Sequence, residues 1–124
     1  MSLHTPETIY SIYALNQLGA IVNLIYLTLN AEEILKQTDE VGSKMFLYLE
    51  NVQDKVKEIK SKMKAEQIIC LPIWNSMPFP LKQIVKQKSC RDNSLDEFLK
   101  KGSKEIVLKK ERYQPNMPAV IVYT

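Results

Sequence analysis

The amino-acid sequence predicts an α/β fold: a doubly wound, mostly parallel sheet with helices on both faces. Two observations lead there. Segments with helical periodicity alternate with short apolar runs, in the order helix, strand, helix, strand, helix, strand, irregular stretch with helix, strand. Such alternation implies right-handed βαβ crossovers and parallel strands. The apolar runs are also continuous rather than alternating, as strands covered on both faces must be.

Taken in order, the first element is "TPETIYSIYALNQLG". Thr5 can cap it, Pro6 suits the first helical position, and Glu7 complements the positive end of the helix dipole. Ile9, Ile12, Tyr13, Leu15 and Leu18 cover much of its surface, so the helix is expected to be well buried. Gly19 stands where a helix-ending glycine would. "AIVNLI", Ala20 to Ile25, is the first strand. The next helix starts at the cap Asn30, carries Glu32 and Glu33 in its first turn and turns Ile34, Leu35, Thr38 and Val41 inward before Gly42 stops it. Lys44 to Glu50, "KMFLYLE", reads as the second strand.

In "NVQDKVKEIKSKMKA", Val52, Val56, Ile59 and Met63 fall on one helical face. Lys55, Lys57, Lys60, Lys62 and Lys64 lie around the rest. A basic surface for nucleic acid or an anionic membrane is one reading. A solvated face is the plainer one, because Asp54 and Glu58 are interspersed and no aromatic side chain there could stack on a base. Glu66 to Pro72, "EQIICLP", is the third strand. The pattern then loosens from Ile73 to about Gln114, apart from the short helix "SLDEFLKKGS", with Ser94 as cap, Glu97 placed for a capping box and Gly102 as its end. "AVIVYT" closes the sequence as an apolar, β-branched run behind Pro118, which reads as a buried strand.

The 124 residues suit one domain. A net charge of +3 is too small to argue for nucleic acid as a partner. No apolar run approaches the roughly 20 residues of a transmembrane helix, and "MSLHTPET" lacks the basic and apolar regions of a signal peptide. Two cysteines in no CxxC arrangement cannot make a zinc site with the single histidine, His4. Cys70, inside "IICL", is expected to be a plain core residue. Cys90 is expected to be exposed, with Arg91 favouring its thiolate slightly but no base near it. The absence of a disulfide framework suits a reducing cytoplasm, which is the expected location.

Ligands of an open parallel sheet bind beyond the carboxyl ends of its strands, and that puts the end of "AVIVYT" at the functional edge. Little chemistry is visible there. Three glycines (Gly19, Gly42, Gly102) cannot build a GxGxxG or GxxxxGK[ST] loop. Asp39 and Glu40 pair with nothing obvious, and Tyr10, Tyr13 and Trp74 read as packing residues. No catalytic and no metal-ligating residue is expected within the chain.

The segments nonetheless add up to a familiar order. "PETIYSIYALNQLGAIVNLIYLTLNAEEILKQTDEVGSKMFLYLE" resembles the stretch of the acyl-adenylating enzymes that runs "PEFxxAxLAxLKAGA", "VVxPL", "xxTPEELxYxLxDSGAK", "VLIV". This is the AMP-dependent synthetase and ligase family: acyl-CoA synthetases, luciferases and peptide-synthetase adenylation domains. "PNMPAVIVYT" is similar to the start of that family's "PDDPAxIxYTSGTTGxPKG". The resemblance covers Pro6 to Thr124 and is weakest between Ile73 and Gln114. There are departures. "LNQLGA" replaces "LKAGA", Asn23 stands where proline or a small residue is frequent, and Asn116 and Met117 replace a commonly acidic pair. None touches a catalytic position, but they leave the substrate branch open.

The resemblance implies a subdomain of the family's N-terminal domain, truncated at both ends and stopping just before the ATP phosphate-binding loop, of which Thr124 would be the first residue. It implies a parent enzyme that uses ATP, Mg²⁺ and coenzyme A to activate a carboxylic acid, more in keeping with a fatty-acid or aryl-acid CoA ligase, a fatty acid first, than with a peptide-synthetase domain. The family's catalytic lysine and most of its acyl and adenine pockets lie in later sequence. The 124 residues alone are therefore expected to be inactive, with no cofactor bound. The remainder of the enzyme would be their main partner, and an exposed sheet edge could pair two copies as a homodimer. The alternative is a self-standing, non-enzymatic α/β partner-binding module.

Overall fold

The computed structural model describes residues 5–86, 93–102, 111, 112 and 114–124, without the side chains of 75, 76 and 84–86. The chain is α/β, with parallel strands joined through helices. Helix α1 (Pro6–Gln17) leads to β1 (Val22–Leu24), α2 (Ala31–Glu40), β2 (Met45–Leu49), α3 (Gln53–Ile59), β3 (Gln67–Leu71), α4 (Leu81–Lys86), α5 (Leu95–Gly102) and β4 (Val120–Val122).

The helix boundaries are set locally. Thr5 Oγ1 accepts the Thr8 N–H at the start of α1. Asn30 and Glu33 exchange side-chain and backbone bonds of 2.9 and 2.8 Å in a complete capping box at the start of α2. Both helices end in the same way. Gly19 (φ +76°) and Gly42 (φ +61°) take the left-handed conformation. At α1, the Gly19 and Ala20 N–H groups return to Asn16 O and Leu15 O. At α2, those of Gly42 and Ser43 return to Asp39 O and Thr38 O, so each helix closes in a Schellman motif. At α5 the Ser94 hydroxyl caps the Glu97 N–H, as expected. Gly102 is the last helical residue rather than the stop beyond it.

The strands pair in parallel but form two two-stranded units instead of one continuous sheet. In one, β2 pairs with β3 from Met45↔Gln67 to Leu49↔Leu71, with α3 as the crossover. In the other, β1 pairs with β4 through Val22↔Val120, Asn23↔Ile121 and Leu24↔Val122. The β2–β3 unit is covered on both faces. Phe46, Tyr48 and Cys70 on one face join Ile25, Ile34, Val56 and Ile59 in the core. Leu49, Ile69 and Leu71 on the opposite face are equally buried. The Cys70 N–H also donates to Asn93 O, which fastens the start of α5 beside β3.

Two burial expectations fail, both at the β1–β4 unit. Helix α1 buries none of its residues, and Tyr10 and Tyr13 are 70% and 65% exposed. Strand β4 is exposed at Val120 and Val122, and Leu24 beside it on β1 is exposed too. The sequence is apolar in these segments, but no described residue packs over that side of the pair. The described part of the irregular stretch also holds more regular structure than its prolines imply. A 3-10 turn at Ile73–Ser76 and the short α4 stand within it, and Trp74 is packed as expected with Lys82 Nζ 5.5 Å from its ring centre. No helix among the described residues is long and apolar enough to cross a membrane.

Candidate functional site

Strand β4 leads to Thr124, the one residue that the sequence marks for a site. The strand is held at both ends. At its entry, the Val22 N–H donates to Ala119 O at 3.0 Å. The Asn16 amide, in the orientation its neighbours require, donates to Ala119 O and Ala20 O. At its exit the Tyr123 hydroxyl donates to Glu40 Oε2 at 2.9 Å. That bond raises the Tyr123 pKa above the usual 10.0. Thr124 follows, exposed, beyond the carboxyl end of the strand.

Glu40 is the last residue of α2, and Asp39 precedes it. Acids at a helix C-terminus face the negative end of the dipole, and α2 has no base in its last turn. Each acid instead takes a cation or a hydroxyl from elsewhere. Asp39 pairs with Lys64 at 2.8 Å, and Glu40 has Tyr123 as well as Lys36 Nζ at 3.9 Å. These two acids therefore do have partners, against expectation. The signal available in the sequence was the adverse placement itself: a helix end that breaks a local rule needs compensation.

The lysine-rich segment is helical only to Ile59, short of the helix expected through Ala65, and it is not a uniform solvated face either. Lys55 Nζ donates to Leu27 O and Leu29 O at 3.0 and 2.8 Å, and so ties the β1–α2 loop to α3. Lys57 pairs with Asp54. With Lys64 on Asp39, three of the five lysines counted as a basic surface are engaged within the chain. Tyr10 and Tyr13 are not packing residues among the described ones. Cys70 is wholly buried, as expected, but it is disulfide-bonded and not a free thiol. With Cys70 oxidised, cysteine usage no longer points to a reducing compartment. Cys90, Arg91 and His4 lie outside the described residues.

A phosphate ligand would meet Thr124 alone of the residues marked in the sequence. One hydroxyl and one backbone N–H fit a single phosphate oxygen, and a triphosphate needs several converging donors. Among the described residues no group of three acidic, histidine or cysteine side chains could hold a metal ion. Among the described residues, then, no complete nucleotide site is assembled around Thr124.

The fold and this strand end define the class: an α/β protein whose closing parallel strand presents a hydroxyl residue at its carboxyl end. The model of the family described as AMP-binding enzyme matches residues 1–124, the whole length of the chain. The chain belongs to the AMP-binding enzyme family. Comparisons with curated proteins and with solved structures each return no match.

Proposed function

We propose that the chain is the N-terminal part of an AMP-forming acyl-CoA synthetase, and that Thr124 opens its phosphate-binding loop. The family match over residues 1–124 carries this reading. The parallel pairing of β1 with β4, which puts Thr124 beyond the carboxyl end of the strand, agrees with it. The parent enzyme would join a carboxylic acid, in keeping with a fatty acid, to ATP as an acyl-adenylate with release of pyrophosphate. It would then pass the acyl group to coenzyme A. Carboxylate and triphosphate repel one another, and Mg²⁺ supplies the charge neutralisation that lets them meet. What these residues contribute is the strand that aims Thr124, held by Asn16 at one end and Glu40 at the other.

The exposed apolar side of the β1–β4 unit supports a covering partner. Tyr10 and Tyr13 on α1, and Leu24, Val120 and Val122 on the strands, are exposed side chains of the kind that a larger domain covers. On this reading the remainder of the enzyme covers it, and pairing of two copies at the sheet edge is what the uncovered chain would do instead. The same surface is the observation that favours the second reading, a non-enzymatic partner-binding module.

Pyrophosphate release by the full gene product, with Mg²⁺-ATP and a panel of carboxylic acids, tests the proposal. Release with a fatty acid, followed by acyl-CoA formation when coenzyme A is added, is expected; the 124 residues alone should release none. Release without acyl-CoA would move the protein to another adenylating branch. No release with any acid would leave the partner-binding module.

A further inference from the structure

We propose that Glu40 is a positioning residue for the phosphate-binding end of β4: it clamps the Tyr123 hydroxyl and so fixes where Thr124 stands. This rests on the reading above, that Thr124 meets a phosphate. Tyr123 and Thr124 are adjacent, so the direction of the Tyr123 side chain sets the path of the backbone into Thr124. β4 has only three residues and one partner strand. The backbone bonds of so short a strand end leave its exit weakly held. The Tyr123–Glu40 bond crosses 83 residues of sequence to hold that exit.

Glu40 is suited to the task because it is itself anchored. It ends a capped helix whose next turn is locked by Gly42, and Lys36 lies 3.9 Å from its other carboxylate oxygen. Its place at the negative end of the α2 dipole makes a donor welcome. The clamp therefore ties the exit of β4 to the segment that leads into β2. A 1 Å displacement of a group that orients a phosphate is enough to lower turnover.

The test uses the full gene product, three single variants (Tyr123→Phe, Glu40→Ala and Glu40→Gln) and the Tyr123→Phe/Glu40→Ala double variant. Two readouts are needed, steady-state pyrophosphate release and hydrogen exchange of the 122–124 amides. Removing the hydroxyl or the carboxylate should raise KM for ATP roughly three- to tenfold, the range of one lost hydrogen bond. KM for the acid should stay as it was, and exchange at 122–124 should quicken. Glu40→Gln keeps an acceptor oxygen and should restore most of the ATP effect. The double variant should be no worse than the worse single one. Unchanged exchange at 122–124 would overturn the clamp. Faster exchange with ATP and acid KM values moving together, or not at all, would overturn its positioning role. A wild-type protein that releases no pyrophosphate with any acid refutes the adenylating reading itself, and the exchange data then decide the clamp alone.

Discussion

Lys55→Met separates the two roles that a lysine on α3 can have. The substitution keeps a long apolar stem but removes the ammonium that serves Leu27 O and Leu29 O. Buried hydrogen bonds to a charged donor are worth about 1.5–3 kcal/mol each. Lys55 is only half-buried, so solvent screening reduces the pair to about 1–2 kcal/mol in total. Part of that loss is felt as looser packing, because Leu27 and Leu29 lie against the core. With a urea slope of about 1–3 kcal/mol/M, the midpoint of unfolding should fall by roughly 0.5–1 M at unchanged slope. Lys57→Met is the control. Lys57 is an exposed partner of Asp54 on the same helix, and its loss should stay within about 0.5 kcal/mol. Equal midpoints for the two variants would refute the idea that Lys55 ties the β1–α2 loop down.

Four further outcomes are expected. Ile34→Ala, at a fully buried site, should cost about 2–5 kcal/mol in chemical denaturation. Gly42→Ala meets no atom within 4 Å, so only its positive φ opposes the change, and a loss of about 1 kcal/mol should appear in the same assay. Asn23→Val should stabilise by about 1 kcal/mol, since both polar atoms of the Asn23 amide are shut from solvent with no hydrogen-bond partner among the described residues. Burial first, and then the Glu50 charge, raises the Tyr48 pKa above 10.0. A phenol whose folded pKa is raised contributes stability in full below pH 10 and loses it as pH climbs through the folded value. Absorbance at alkaline pH should therefore show Tyr48 ionising late, together with the fall in stability.

The helix ends were legible in the sequence because their bonds are local. Thr5, Asn30 with Glu33, Gly19, Gly42 and Ser94 each act within five residues of themselves. The strands were legible as apolar runs, but their sorting into two units was not, since an apolar run does not specify its neighbour. Burial of α1 and β4 was misjudged for the same reason: apolar residues show what a surface would bury, not what lies across from it. Lys55 was missed because helical periodicity assigns lysine to the outside, while a four-carbon stem reaches back to carbonyls on another loop. Thr124 was marked by resemblance alone. The Tyr123–Glu40 contact that holds it joins two segments that no local pattern connects.

The pairing of β1 with β4 also orders events in time. Val22 waits for Val120, about a hundred residues later, whereas β2 finds β3 after only about twenty. Closing the longer loop costs on the order of 1 kcal/mol more chain entropy. On a ribosome delivering about 5–20 residues each second, β1 would stay without its partner for several seconds after β2, α3 and β3 have emerged. During that interval Leu24 and its neighbours are an open apolar edge, and a chaperone that recognises extended apolar segments would find its binding site there before the protein has finished being made.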